Sequence, residues 1–488
     1  MNLPGSSPAP ECTPPGLRPA IYLLVAGYAA AILLPFLGSN RTLTNHEVYI
    51  ALPAKEMLHS GDWIVPTYTH RTWLAKPPLL YWVTAGLAWL RGEFDEWTAR
   101  LPAAASAILL SLVVTALAAR WFDRTTALLA GLIQASMGYT YMQGRLGEID
   151  MPLACLLAAG LAILGLHWCR NEFRLPLRSA VAFHSLAGLA ILAKGPAAIL
   201  LLGAIVGGCS LVRRSLKPAA GLLGTPAVVC FFLVALPWPV AVVAKVGDAA
   251  WEAWEREYLA RFMGTHRLGT QPVPYYLWMA PFLTLPWAVL LVAGAGKLWR
   301  VARRPEDVAV RFLWTWFLAG LVALTLSAGK HKHYAIPILP PLSILSATVL
   351  AEGAKLLAHS ARPVLGSVFG AVLGVYLIVG AWIMPARDHR RVTADFVRQV
   401  TGSLPAEAEL FVAGSGQSAA YFYIARSYTY LDSVHDVPRD RPAAWLLAPA
   451  NYADEIVELD SPRIVRREPP HDAIPAGQLL VLVRPPSG

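Results

Sequence analysis

The sequence has few charged residues. They make up only 15% of its 488 residues, whereas 56% of the residues are hydrophobic. Soluble globular proteins carry about 25% charged residues, so this composition excludes an ordinary soluble protein. With a mean hydropathy of +0.48, the sequence predicts an integral membrane protein.

Cysteine is also scarce. The five cysteines are scattered along the chain, four of them in or beside apolar runs, and no two form a CxxC pair. This spacing argues against a disulfide framework and against a zinc site.

Long apolar runs are what the sequence has in abundance. An anchor is followed by ten further runs, giving about eleven predicted spans near the ~20 residues that a helix needs to cross hydrocarbon. Before the anchor, residues 1–17 are rich in Pro, Gly and Ser and are predicted to be a disordered cytoplasmic tail. The runs lie near residues 20–38, 102–119, 125–142, 151–168, 180–193, 196–212, 219–244, 274–296, 310–328, 334–351 and 364–384.

The net charge of +10 would suggest nucleic acid in a soluble chain. Here much of that charge lies in short loops between spans, where it sets orientation, so we expect no nucleic-acid partner. With a cytoplasmic N-terminus, every inner loop is basic, as the positive-inside rule requires. We therefore expect a multi-pass protein of the cytoplasmic membrane, with segment 39–101 and the C-terminus outside. Basic residues in the outer loops run against this bias and indicate either a bound anion or snorkelling to lipid headgroups.

Three regions are expected along the chain. The tail is followed by a transmembrane catalytic domain over residues 18–386, whose first outer loop, 39–101, should form short amphipathic helices on the membrane surface. A change in composition then predicts a small soluble α/β domain over residues 387–488, with strands near 409–414, 444–447 and 478–483.

His46 and Glu47 form the first candidate catalytic group, a few residues after the anchor. A carboxylate beside lipid can act as a general base toward a hydroxyl group. The alternative is a helix start, with Thr44 or Asn45 as the N-cap and Glu47 complementing the helix dipole.

A second group contains Arg145, Glu148 and Asp150. These side chains could bind a polar substrate or a divalent cation, whereas Asp150 could instead cap the following helix. The third candidate is Lys194, which lies between two apolar runs. A charge in such a place is costly unless it is paired or reaches water.

The fourth group is the run Lys330 to Tyr334, with two lysines, two histidines and a tyrosine. It is a compact anion-binding surface, in which ammonium groups act as point charges and the phenol as a donor. Its His331 and His333 could also hold a metal, but the spacing fixes no third ligand.

Together these stretches resemble the GT-C glycosyltransferases, among them the bacterial aminoarabinose transferases that act on lipid A and the protein O-mannosyltransferases. The resemblance covers residues 20–385 and depends on the order of the motifs. The motifs are Glu56-Met57-Leu58, Ser60-Gly61-Asp62-Trp63, Lys76-Pro77-Pro78-Leu79, Ala99-Arg100-Leu101-Pro102, Asp150-Met151-Pro152, Lys194-Gly195-Pro196 and Lys330-His331-Lys332-His333-Tyr334.

The resemblance implies an inverting enzyme that transfers a sugar from a polyprenyl-phosphate carrier to an envelope acceptor (lipid, glycan or protein). It places Lys76, Lys194, Arg261 and Tyr334 at the lipid phosphate and Asp150 at a second acidic position. Charge adds Lys330 to the phosphate contacts. Glu47, Asp150 and His46 are the predicted catalytic residues, and further substrate contacts are expected from Tyr49, Glu148, Arg145 and His333. Membrane lipids are expected partners, a divalent cation remains open as a cofactor, and no metal ligand is assigned.

The sequence departs from the family at two positions. Asn45 stands where relatives usually have aspartate. Three alternatives follow: Glu47 has taken over the role of that aspartate, the base lies elsewhere, or the protein has lost activity. Ala75 stands where the aminoarabinose transferases tend to have glutamate, which weakens the case for a metal there. A lipid-linked sugar transporter and a non-catalytic envelope subunit are the alternatives, although no internal repeat of the kind common in transporters is evident.

Overall fold

The computed structural model describes residues 18–39, 41–259, 271–304, 306–327, 329–356, 360–414, 419–438, 444–459, 462–468 and 478–483. The predicted disordered tail, residues 1–17, lies outside these ranges. The chain divides into two compact units. The first comprises Met1–Pro35, Leu74–Leu80 and Arg100–Leu377, and the second comprises Phe36–Trp73, Tyr81–Ala99 and Ile378–Gly488.

Apolar helices build the first unit. Several begin with proline in their first turn, as in Pro19–Leu33 and Pro196–Val212, because a proline there loses no helical hydrogen bond. The helices are Pro19–Leu33, Glu96–Trp121, Arg124–Ser136, Gly138–Gly144, Asp150–Trp168, Leu177–Lys194, Pro196–Val212, Lys217–Leu223, Val228–Ala235, Pro237–Val246, Asp248–Trp254, Tyr275–Leu283, Ala288–Ala302, Val308–Leu326, Pro340–Leu356 and Ala361–Ile378, with a π-helical turn Glu255–Leu259 and a 3-10 helix Lys332–Ile338.

Within the described residues, six helices are long and apolar enough to cross a membrane, or eight if two bent pairs each count as one span. The predicted count of eleven is therefore not confirmed. The pairs bend by 117° between Tyr275–Leu283 and Ala288–Ala302, and by 60° between Lys332–Ile338 and Pro340–Leu356. Proline explains the second bend, because its ring and missing N–H interrupt the helical hydrogen bonds.

Small residues let the helices of the first unit approach closely. A Cβ added to Gly208, in helix Pro196–Val212, would lie 2.6 Å from the Cβ of Ala319. This contact has the small-residue character of helix packing in membranes. The predicted class, an α-helical polytopic membrane protein with a small C-terminal α/β domain, is confirmed.

The second unit contains a five-stranded sheet. Its strands are β3 (Glu409–Ala413), β4 (Thr429–Leu431), β5 (Ala444–Pro449), β6 (Pro462–Arg467) and β7 (Gln478–Val483), in the order β4-β3-β5-β7-β6. Strand β3 pairs in parallel with β4 and β5, whereas β7 is antiparallel to β5 and β6. A separate antiparallel pair joins β1 (Thr67–Tyr68) to β2 (Arg71–Thr72).

The helices of the second unit flank these strands. Both helix Asn45–Ser60 and helix Leu79–Arg91 come from segment 39–101, and the second of them belongs to this unit from Tyr81 onward. Helix Arg390–Gly402 follows the last apolar helix, which continues through Val379–Ile383 and Met384–Ala386. Short 3-10 turns at Ala419–Tyr423, Val434–Asp436 and Ala450–Tyr452, and helix Ala453–Val457, complete the unit.

Segment 39–99 shares a core with the C-terminal domain. Val48, Ala51 and Leu52 of helix Asn45–Ser60 belong to the same buried cluster as Val397 and Phe422. The apolar face of this helix therefore packs on protein. The sequence pattern had predicted that this face lies on the membrane surface. The compact units consequently divide the chain differently from the expected domains 18–386 and 387–488.

Polar contacts join the same two segments. The Thr42 backbone N–H and hydroxyl donate to the Asp388 carboxylate at 2.7 and 2.8 Å, and the Leu43 N–H donates to the Tyr423 hydroxyl at 2.7 Å. These bonds satisfy backbone groups just before helix Asn45–Ser60 and thereby fix its start.

Candidate functional site

Asp150 and Lys194 form a buried ion pair in the first unit. The Lys194 Nζ donates to Asp150 Oδ1, and their side chains are only 13% and 5% exposed, respectively. Asp150 is the first residue of helix Asp150–Trp168, and Lys194 is the last residue of helix Leu177–Lys194. Each charge therefore lies at the helix end whose dipole it complements. Ile149 occupies the cap position without a side-chain bond, so Asp150 acts as an ion-pair partner instead of a cap.

Tyr334 lies beside this pair. The Lys194 Nζ is 4.2 Å from the centroid of the Tyr334 ring, within cation–π range. The next residue, Gly195, has φ 69° and connects directly to Pro196, the first residue of the following helix. This left-handed conformation, which glycine adopts without strain, holds Lys194 at a tight turn between two apolar helices. The first unit thus brings together three predicted site residues, Asp150, Lys194 and Tyr334.

Lys76 has an acidic partner, Glu257, that was not among the predicted site residues. Its Nζ lies 2.6 Å from Glu257 Oε1, and the two side chains are 28% and 11% exposed. Glu257 lies in the turn Glu255–Leu259. The next residue, Tyr258, packs on Gly195, since a Cβ on that glycine would lie 2.9 Å from Tyr258 Cζ. The sequence feature that could have identified Glu257 is an acidic residue in a loop rich in basic and aromatic residues.

The run Lys330 to Tyr334 is held by its own backbone and by a neighbouring helix. The Lys330 Nζ donates to the Ser327 carbonyl at 2.8 Å, and the Tyr276 hydroxyl donates to the His331 carbonyl at 3.0 Å. The His331 and His333 rings stack with centroids 5.3 Å apart, and Tyr334 meets both rings edge-on. The predicted contact His333 therefore lies beside Tyr334.

Arg145 has a structural contact. It is 5% exposed, and its Nη1 donates to the Leu33 carbonyl at 2.7 Å, at the end of helix Pro19–Leu33. A cation at the C-terminal end of a helix binds its last carbonyl groups. Glu148, two residues before Asp150, is half-buried.

Glu47 forms a capping box. Its Oε2 accepts from the Thr44 N–H at 2.9 Å, and the Thr44 hydroxyl accepts from the Glu47 N–H at 3.2 Å. Glu47 is fully buried, with Arg41 Nη2 3.9 Å from the same carboxylate oxygen. This geometry fits the helix-start alternative, because Oε2 of Glu47 accepts a hydrogen bond within the cap.

The neighbours of Glu47 are more exposed. His46 is exposed and meets the Tyr49 ring edge-on at 6.0 Å, and Tyr49 stacks on Trp73 at 5.5 Å. The side chain of Asn45 accepts from the Ala419 N–H at 3.2 Å, so it has a structural partner in the C-terminal domain. His46, Glu47 and Tyr49 belong to the second unit.

The remaining predictions concern Arg261 and a metal. Arg261 lies outside the described residues. Among the residues that the structure describes, no group of three or more His, Cys, Asp and Glu side chains is arranged to hold a metal ion.

Comparisons with known proteins agree with the motifs. Residues 75–238 match the family described as dolichyl-phosphate-mannose-protein mannosyltransferase. The undecaprenyl phosphate-alpha-4-amino-4-deoxy-L-arabinose arabinosyl transferase of Yersinia pestis is 26% identical over 73% of this chain and 64% of its own length. The corresponding protein of Erwinia tasmaniensis is 28% identical over 69% of this chain and 61% of its own length. The chain therefore matches somewhat less than two thirds of the length of these relatives.

Solved structures show the fold. ArnT from Cupriavidus metallidurans, bound to undecaprenyl phosphate, superposes with a TM-score of 0.80 at 21% identity, covering 95% of this chain and 98% of that one. The Archaeoglobus fulgidus oligosaccharyltransferase gives a TM-score of 0.56 at 12% identity, covering 88% of this chain and 68% of that one. The resemblance predicted from the motifs is confirmed: this chain has the GT-C fold and is similar in sequence to the aminoarabinose transferases.

Proposed function

We propose that the protein is an inverting membrane glycosyltransferase that takes a sugar from a polyprenyl-phosphate carrier and transfers it to an envelope acceptor. The observation that carries this proposal is the cluster formed by buried Asp150 with the partly buried Lys194 and Tyr334. The relatives' names make undecaprenyl phosphate-linked 4-amino-4-deoxy-L-arabinose the first donor to test.

The chemistry of the leaving group explains the basic residues. Breaking the bond from the anomeric carbon to a polyprenyl phosphate develops negative charge on the phosphate. Fixed cations stabilise this charge most strongly where water is scarce. Lys194 is held in such a place, and Lys76, Lys330, Arg261 and Tyr334 are the other proposed phosphate contacts.

Asp150 has a supporting role in this proposal. Its carboxylate pairs with Lys194 and holds the ammonium group in place, since an unpaired charge in this largely buried position would be strongly disfavoured. His46 is the proposed base toward the acceptor, since its imidazole is exposed and can accept a proton. Glu47 fixes the start of the helix that carries His46, through its capping box with Thr44. Tyr49, Glu148, Arg145 and His333 are proposed to contact or support the bound sugar.

Orientation follows from the positive-inside rule. We infer a cytoplasmic N-terminus and an extracytoplasmic C-terminal domain in the cytoplasmic membrane, because the inner loops between the predicted spans carry the basic residues. Transfer then takes place on the outer face, where the carrier presents its sugar to envelope acceptors.

The test is turnover by purified protein in lipid nanodiscs. A panel of polyprenyl-phosphate sugars is offered with membrane extract as acceptor, and release of free polyprenyl phosphate is measured. Lys194→Met should lower the rate by about tenfold or more, since it removes a cation facing the leaving group. The matched control is Lys297→Met, whose exposed pair with Glu352 contributes little. Equal rates for the two variants would contradict the proposal.

One alternative has an observation in its favour. Asn45 and the capped Glu47 leave the start of helix Asn45–Ser60 without the carboxylate that relatives usually carry, as expected for a non-catalytic subunit that binds carrier lipid. Tight binding of undecaprenyl phosphate without turnover of any donor would favour that alternative.

A further inference from the structure

Building on the proposed function, we propose that Glu257 is a positioning residue that competes with the carrier phosphate for Lys76. In the structure its carboxylate lies at the ammonium group, where the carrier phosphate is proposed to bind. Binding of the carrier displaces it, and its return helps to release the product phosphate.

The pair has the geometry of an occupied anion site. The Lys76 Nζ and Glu257 Oε1 lie 2.6 Å apart, and the Glu257 side chain is only 11% exposed. A charge-assisted hydrogen bond of this length in a largely buried setting is among the stronger polar contacts in proteins. A phosphate oxygen that approaches the same ammonium therefore meets a carboxylate that is already bound there.

The position of Lys76 is restricted from the C-terminal side. Pro77 and Pro78 follow it directly, and helix Leu79–Arg91 begins next. Proline rings fix the backbone φ, so this stretch has little freedom to carry the lysine elsewhere. The backbone of Lys76 is thus restrained while its side chain contacts Glu257, and exchange of this partner needs only a side-chain movement.

Glu257 is also connected to the second phosphate contact. Tyr258 packs on Gly195, the residue after Lys194. The turn Glu255–Leu259 thus contacts both lysine-bearing segments within the first unit, through the carboxylate of Glu257 and the ring of Tyr258. Displacing Glu257 therefore acts on a turn that also contacts the Lys194 segment.

Charge disfavours the presence of both anions at the ammonium of Lys76. A carboxylate and a phosphate at one ammonium repel each other, and the repulsion is strong where water is scarce. The product is the stronger competitor, because a free phosphate monoester carries a charge of about −1.5 to −2 at neutral pH, whereas the donor diester carries a single charge. A built-in carboxylate therefore weakens product retention.

The experiment measures undecaprenyl phosphate binding to the full chain in nanodiscs. Glu257→Gln keeps the size and the hydrogen-bonding oxygen of the side chain but removes its charge. We expect the variant to bind the carrier about five- to tenfold more tightly, within the usual range for coupling between sites. In turnover, KM for the donor and kcat should both fall as product release slows. The control is Glu352→Gln, which breaks the exposed pair with Lys297 and should leave affinity unchanged.

A double-mutant cycle separates competition from a structural role. In the Lys76→Met background, Glu257→Gln should no longer alter carrier affinity, because the contested ammonium is gone. Weaker or unchanged binding in Glu257→Gln, or an equal effect in both backgrounds, would overturn the inference while leaving the proposed function intact. A wild-type protein that binds no undecaprenyl phosphate would overturn both.

Discussion

At the scale of single residues, the two acidic candidates have different surroundings. Asp150 neutralises Lys194 in a buried place, where each charge alone would be costly. Glu47 closes a capping box. Sequence reasoning identified both carboxylates and both alternatives, but it could not choose between them, because a capping carboxylate and a base are the same residue type. The residue that each carboxylate contacts determines which alternative holds, and contacts such as Lys194 lie far away in sequence.

Asn45 provides a test at this scale. Its side-chain oxygen accepts from the Ala419 N–H. Asn45→Ala should lower the free energy of unfolding by about 1 kcal/mol, because that bond is lost. Asn45→Asp should keep wild-type stability, since its carboxylate accepts the same bond and suits a helix N-terminus. Thermal unfolding of the purified variants measures both changes, and equal melting temperatures for Ala and Asp would contradict the expectation.

At the scale of elements, strong patterns were predictable and short or charged ones were not. Strands β3, β5 and β7 coincide with predicted apolar runs. Strands β4 and β6 were missed, since β4 has three residues and β6 carries three arginines on a sheet edge. The segment between β3 and β4 contains a 3-10 turn, Ala419–Tyr423.

The surface on which helix Asn45–Ser60 packs could not be predicted from its sequence. An amphipathic helix buries the same apolar face whether that face meets lipid or protein, so its pattern cannot identify the partner. In the structure the partner is the core around Val397 and Phe422.

The start of this helix gives a prediction for an element. Tyr423→Phe keeps the ring but removes the hydroxyl that accepts from the buried Leu43 N–H. We expect a loss of about 1–3 kcal/mol, the cost of an unsatisfied buried donor. Thermal unfolding and limited proteolysis after residue 39 would measure it, with Tyr22→Phe in the first unit as the control. Unchanged protection of the loop would show that the hydroxyl does not hold this segment.

At the scale of the whole molecule, the class was evident from composition, whereas the division into units was not. Hydropathy reports which stretches are apolar. It does not report that residues 36–73 and 81–99 belong with 378–488, because that grouping depends on contacts between distant segments.

A truncation tests this grouping. Deleting residues 388–488 removes Asp388, Tyr423 and much of the shared core. We expect the first outer loop to become protease-sensitive and turnover to be lost, while the helices of the first unit remain inserted in the membrane. Proteolysis and turnover in the same preparation measure both. A truncated protein with a protected loop and normal turnover would contradict the shared core.

The shared core also sets an order of events during biogenesis. Residues up to Ala99 leave the ribosome early, but their packing partners begin at Ile378. Synthesis of the intervening chain takes on the order of tens of seconds. Throughout that time the nascent loop exposes apolar side chains such as Val48 and Leu52. The early segment must therefore be shielded by the membrane surface or by a chaperone until its packing partners have been synthesised.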